Sequence, residues 1–206
     1  MIQLKQFIIS LLFIIPSILF SQTQLTNKVF NKALQRKSVQ YKHEIYFNKA
    51  QYFFIKKEWD STLVNSMKQL SLRKNKELND YCHFLRALCY QNNELEKAIF
   101  YSENAINEPD LEQKGVIVSS LYEKIGTYYI HLKSFKKAEE YLFKSLDLQK
   151  KEGVPLIVIY TNIANLYYIQ YKDAQAIPYF EKAYSLSKKI KDLDLLSAQK
   201  FLVAEQ

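Results

Sequence analysis

The chain repeats itself. Shifting the stretch Tyr122–Ser145 by 38 residues lays it on Tyr160–Ala183, with Tyr122 on Tyr160, Ile125 on Ile163, Gly126 on Ala164 and Tyr129 on Tyr167. The same shift puts Ala138 on Ala176, Leu142 on Phe180 and Ser145 on Ala183. Residues of like size under one offset make the repeat, rather than the single helix, the unit of this fold. Within each copy Tyr, Ile, Gly or Ala, and Tyr recur at three- and four-residue intervals, the spacing of one helical stripe. The small residue in that stripe lets a second helix approach, and Ala138 or Ala176, twelve positions on, answers from that second helix. An antiparallel pair built this way cannot bury its apolar face alone and must stack on neighbours.

Two fainter copies precede these. From Tyr46, Ala50 is the small residue and Trp59 leads the second helix, with Thr62 in place of the alanine. In the next copy Leu95, Ala98 and Ala105 keep the spacing of Phe135, Ala138 and Ser145. Its first helix offers Arg86 at the small position or, with a turn one residue shorter, Ala87. The fold class is therefore all-α, with four helix pairs at about 41–75, 77–108, 111–152 and 155–190. Pro109, Gly153 and Pro155 punctuate the pairs, and Pro178 lies near the start of a second helix, where few hydrogen bonds are lost. Residues 22–40 read as an introductory helix or linker through Leu25, Val29, Ala33 and Leu34. Residues 191–206 read as a separate terminal helix, an incomplete repeat that invites self-association.

The two strong copies spell Y-x₂-I-G-x₂-Y with A-x₃-L, and Y-x₂-I-A-x₂-Y with A-x₃-F. They resemble the tetratricopeptide repeat, whose pattern is W-x₂-L-G-x₂-Y followed by A-x₃-F. The resemblance covers about Tyr41 to Ile190, and its 38-residue spacing exceeds the family's usual length. It implies a right-handed α-solenoid of stacked antiparallel pairs. It also implies a non-enzymatic scaffold that holds a protein or peptide on a concave face lined by first helices. Carried over residue by residue, that face comprises Phe47, Gln51 and Phe54, then His83 and Tyr90, then Thr127 and His131 beside Glu123, then Thr161, Asn165 and Tyr168. Gly126, Ala138, Ala164 and Ala176 are the structural small positions. One subclass of the family clamps a C-terminal carboxylate with Lys and Asn. Asn165 suits such a clamp, but Thr161 and Glu123 stand where basic partners are needed, which argues against it.

Before the repeats, Lys5 and the apolar run from Phe7 to Phe20 form a leader. That run matches a signal-peptide core and falls short of the roughly 20 residues that span a bilayer. Cleavage is expected after Ser21, giving a signal peptide over 1–21, with an uncleaved anchor as the alternative. The expected location is exported: periplasm, cell envelope or secreted, with no membrane span after the leader. Cys82 and Cys89, seven residues apart on one helix, sit roughly 10 Å from each other, too far for a disulfide, and read as small buried hydrophobes.

Composition narrows the function. With 3 glycines there is no glycine-rich phosphate loop. His43, His83 and His131 are scattered, and neither H-E-x-x-H nor C-x-x-C occurs, so no catalytic, cofactor or metal site is expected. The formal charge is +8. Lys136, Lys137, Lys144, Lys150 and Lys151 alternate with Glu139, Glu140, Asp147 and Glu152, which describes charge spread over a solvated helix face rather than a nucleic-acid footprint. Solubility, or weak attraction to an acidic envelope surface, accounts for it. Two functions remain: a freestanding envelope scaffold, or the sensory or regulatory ectodomain of a signalling protein.

Overall fold

The computed structural model describes residues 31–32, 34–106 and 114–204, and all regular structure among them is helical. The leader 1–21, the apolar positions Leu25, Val29 and Ala33, and the boundary at Pro109 lie outside the described residues. The helices are α1 (34–40), α2 (Ile45–Ile55), α3 (Trp59–Ser71), α4 (Lys76–Tyr90) and α5 (Leu95–Ile106). They continue as α6 (Lys114–His131), α7 (Phe135–Glu152), α8 (Ile157–Tyr168) and α9 (Asp173–Ala204). The fold divides into two compact units between Leu148 and Gln149.

In the unit ending at Leu148, one core joins Leu34 of α1, Phe47 and Ala50 of α2, Leu78, Tyr81 and Leu85 of α4, Ala105 of α5, and Ile117 and Leu121 of α6. Small residues set the closeness of each pair. Thr62, Ala98 and Ala138, each three residues into a second helix, are fully buried. Across from Ala138, a Cβ added at Gly126 would lie 2.7 Å from Leu142 Cγ, so only glycine fits there unless that leucine moves. The pair α6/α7 is further tied by Ser145 Oγ, which donates to the Ser119 carbonyl at 2.7 Å.

Helix starts are secured in two ways. Asn75 caps α4 with its own side chain, accepting from the Leu78 N–H at 3.3 Å. Glu44 makes no such bond at the start of α2. Instead Gln69 reaches over from α3: its Oε1 accepts from the Phe47 N–H at 3.1 Å and its Nε2 donates to Glu44 at 3.0 Å. A first helix thus has an orphan N–H satisfied by its own partner helix.

The turns inside the pairs repeat as faithfully as the helices. Lys57, Lys133 and Tyr171 have φ of 61°, 57° and 58°, and each stands two residues before its second helix. At all three the left-handed residue donates to the carbonyl three back (Phe54, Ile130, Tyr168), and the next residue donates to the one five back (Phe53, Tyr129, Tyr167). This is a Schellman closure, normally a glycine's task. Glycine takes that task only at Gly153, φ 66°, after α7.

The pair α4/α5 departs from this pattern. Its first helix stops at Tyr90, and Ala87, 2% exposed, takes the small position, eleven residues before Ala98 rather than twelve. In the second unit, Ile157, Ile159, Ile163, Ala164 and Leu166 of α8 are buried, as are Ala176, Phe180 and Ala183 of α9. The separate terminal helix expected over 191–206 is replaced by continuation: α9 runs unbroken for 32 residues. No glycine or proline follows Pro178, so nothing in the sequence stops it. The apolar side chains beyond residue 190, to which self-association was assigned, lie outside what is described.

Candidate partner-binding surface

Ring stacks fix the phase of the helices. Tyr101 of α5 lies between His83 (5.9 Å, 25°) and Tyr90 (5.6 Å, 11°) of α4. Tyr141 of α7 lies between Tyr122 (6.0 Å, 46°) and Tyr129 (5.7 Å, 28°) of α6. Tyr179 of α9 lies between Tyr160 (6.1 Å, 44°) and Tyr167 (6.0 Å, 32°) of α8. In each case two rings seven residues apart on the first helix grip one ring of the second. Ammonium groups cover the outer faces: Lys97 Nζ is 5.1 Å from the Tyr90 ring, Lys144 Nζ 5.1 Å from Tyr141, and Lys182 Nζ 5.0 Å from Tyr179. In α3 the corresponding position is Asn65, whose amide donates to the Ser61 carbonyl at 2.8 Å.

This phase separates the residues expected to touch a partner. Phe47 is not on a groove: it is fully buried, edge-on to Tyr81 at 6.3 Å. Gln51 and Thr161 are likewise core residues, 6% and 5% exposed, and the Thr161 hydroxyl donates to the Ile157 carbonyl at 2.8 Å. Both correct the sequence expectation, since their burial turns them away from solvent. His83 and Tyr90 are half-buried members of a stack within their own pair. Phe54 is half-buried, packed on the core and edge-on to Trp59 at 5.8 Å. Thr127 is half-buried, its hydroxyl donating to the Lys124 carbonyl at 2.8 Å.

Three expected residues are exposed: His131 on α6, and Asn165 and Tyr168 on α8. Asn165 and Tyr168 are three residues apart and so neighbours on one helix face. The Tyr168 ring is steadied by Phe180, edge-on at 6.4 Å, while 46% of the residue stays open. An amide that both donates and accepts, beside a fixed aromatic ring, can hold an extended backbone.

Two inward cations have clear partners. Arg86, 4% exposed, donates from Nη1 to the Leu63 carbonyl (2.8 Å) and Ser66 Oγ (3.3 Å), and from Nη2 to the Tyr101 hydroxyl (2.8 Å). Lys124 Nζ reaches Gln91 Oε1 at 3.3 Å, and burial pulls its ammonium below the usual lysine range. Burial pushes the Cys89 thiol up to about 12 and the Cys82 thiol further still. Both cysteines are free thiols. A shallow recess of about 160 Å³ between Glu103, Tyr122, Tyr141 and Lys144 is crossed by the Tyr141 hydroxyl, which donates to Glu103 at 2.6 Å.

Sequence reasoning passed over Arg86 as a partner-making group, and over the gripped tyrosines. Tyr141 and Tyr179 lie under the same 38-residue shift that revealed the repeat, so the signal was present. No family model matches the chain, and no curated protein is significantly similar to it. Among the described residues no helix is long and apolar enough to cross a membrane.

Proposed function

We propose that the chain is a tetratricopeptide-type scaffold, exported to the cell envelope, that binds a protein or peptide partner and performs no chemistry of its own. The observation that carries this reading is the recurrence of one pair geometry. The same ring grip, the same buried small residue and the same left-handed turn residue recur at matching positions of α6/α7 and α8/α9. Repeated pairs of this kind stack into a right-handed solenoid whose first helices line one face. That face takes an extended segment.

Asn165 and Tyr168 form the anchor on α8. The tyrosine contributes rigid contact area at low entropic cost, and the asparagine pairs with the partner's main chain. An isolated groove of this type holds a peptide at around micromolar affinity, about −8 kcal/mol. Loss of one central aromatic contact removes around 2 kcal/mol of that.

The test is affinity capture from envelope extract with wild type and an Asn165→Ala/Tyr168→Ala variant, each checked for native helicity. The expected result is one specific partner retained by wild type and reduced more than tenfold on the variant. Equal recovery on both would place binding elsewhere and overturn the assignment. N-terminal sequencing of envelope-localised protein tests export separately; mature chains beginning at Gln22 are expected.

A further inference from the structure

The formal charge is not shared evenly. Residues 31–75 carry ten Lys and Arg against three Asp and Glu, while the rest of the chain carries nineteen against eighteen. Nearly the whole excess lies in this segment, on α1, the first pair α2/α3 and the residues that flank them.

The same pair exposes apolar side chains at positions that later pairs bury. Ile45 corresponds to Leu121 and Ile159, both fully buried, yet it is 61% exposed. Tyr52 corresponds to Tyr128 (7% exposed) and Leu166 (0%), yet it is 53% exposed. Between them Lys49, exposed, stands where Ile125 and Ile163 are buried. Along α2 these residues fall at i, i+4, i+7 and i+11 as Ile45, Lys49, Tyr52 and Lys56, a single stripe. At its C-terminal end Ile55 is 57% exposed, Lys56 Nζ lies 4.4 Å from the Tyr52 ring, and Trp59, 42% exposed, opens the next helix.

We propose that this stripe docks on an anionic bilayer surface. The composition decides the occupant. Isoleucine, tyrosine and tryptophan interleaved with lysine suit the headgroup boundary, where rings sit at the interface and ammonium groups pair with lipid phosphate. A protein partner would need no run of alternating lysines, and a second copy of this stripe would meet it with like charge. The face is separate from the groove assigned to a peptide, and the two readings stand or fall independently.

Trp59 is the chain's single tryptophan and opens α3 at the C-terminal end of α2, 42% exposed and edge-on to Phe54, so its emission reports that end of the pair. The full chain is titrated with phosphatidylcholine vesicles with and without about a third phosphatidylglycerol. A blue shift of Trp59 emission is expected only with the anionic vesicles, and it should reverse in high salt. Lys49→Glu/Lys56→Glu should weaken it at least ~25-fold, since each lysine near such a surface is worth roughly fivefold. Lys150→Glu/Lys151→Glu, with the same change in net charge at an exposed helix end, should leave it intact. An equal shift on neutral vesicles, or equal loss in both double variants, overturns the proposal. So does a shift with polyglutamate or single-stranded DNA and none with vesicles, which would make the occupant another polyanion.

Discussion

The Arg86 guanidinium lies 4.4 Å from the centre of the Tyr101 ring while donating a hydrogen bond to that tyrosine's own hydroxyl. Arg86 occupies the position that Ile125 and Ile163 fill in the later pairs, and it converts an apolar contact into a tie that reaches back to Leu63 and Ser66 of α3. Truncating one member of a buried polar set leaves the others unpaired. Arg86→Ala should therefore cost about 3 kcal/mol or more, and Arg86→Leu, which restores apolar volume, clearly less. Urea titration of both variants provides the comparison; equal losses would mean that the lost bonds alone, not the packing volume, matter here.

Gly126 tests the closeness of α6 and α7. Because an added Cβ meets Leu142 Cγ at 2.7 Å and Cδ2 at 2.8 Å, Gly126→Ala should destabilise by about 1–3 kcal/mol despite alanine's better helix propensity. Combined with Leu142→Ala, it should cost less than the sum of the two single losses, and thermal melts of the single and double variants would read that coupling. Gly126→Leu and Ala164→Leu should be worse, while Lys150→Leu, on an exposed position, should be nearly neutral.

The turns carry an avoidable cost. A non-glycine residue in the left-handed region is disfavoured by about 1–2 kcal/mol. Lys133→Gly and Tyr171→Gly should each stabilise the fold by roughly 0.5–1 kcal/mol after the entropy of the unfolded chain is charged against them. Gly153→Ala should move stability the other way, since its φ is 66° with nothing within 4 Å of the new Cβ to blame. Melting temperatures of the three variants separate conformational cost from packing.

Lys124 gives a pH signature. Its folded pKa is depressed by burial, so the protonated form costs stability at neutral pH. That cost fades as pH rises from the folded pKa toward the unfolded value of about 10.4. Lys124→Met should be more stable than wild type at pH 7, and the difference should shrink steadily toward pH 10. Tyr128 and Tyr141 act in the opposite sense: their folded pKa values are raised, so stability is lost above about pH 10, where the unfolded tyrosines ionise. Urea midpoints of both proteins across that range would show the two trends.

Cys89 should be chemically quiet in the native chain. With its thiol pushed up to about 12 by burial, almost no thiolate exists at pH 8. Disulfide-exchange reagents should label buried Cys82 only on unfolding and half-buried Cys89 only slowly in the native chain. Rapid labelling of Cys89 in the native state would contradict the burial described.

How much of this was legible beforehand follows from what a periodicity can encode. The helix pairs were readable because a 38-residue shift preserves residue size at contacts where size is decisive, such as Gly126 against Leu142. The groove was not. Ile157, Ile159, Thr161, Ile163, Ala164 and Leu166 are all buried in one helix, so α8 has scarcely a polar face from which to infer its outward side. Thr161 was misplaced for that reason; Phe47 and Gln51, on α2, were misplaced because the carried-over face there points into the core. The choice between Arg86 and Ala87 also needed coordinates, since it depends on where α4 stops, at Tyr90, two residues short of its counterpart.

The ring grips have a mechanical consequence. A tyrosine held by two rings seven residues apart acts as a peg in a two-toothed jaw: the helices of a pair cannot slip along each other without opening both teeth together. The pair α2/α3, where Asn65 stands in place of the peg, lacks that lock. Pulled from its ends, the chain should give first at that pair, with the jawed pairs yielding afterwards as whole steps.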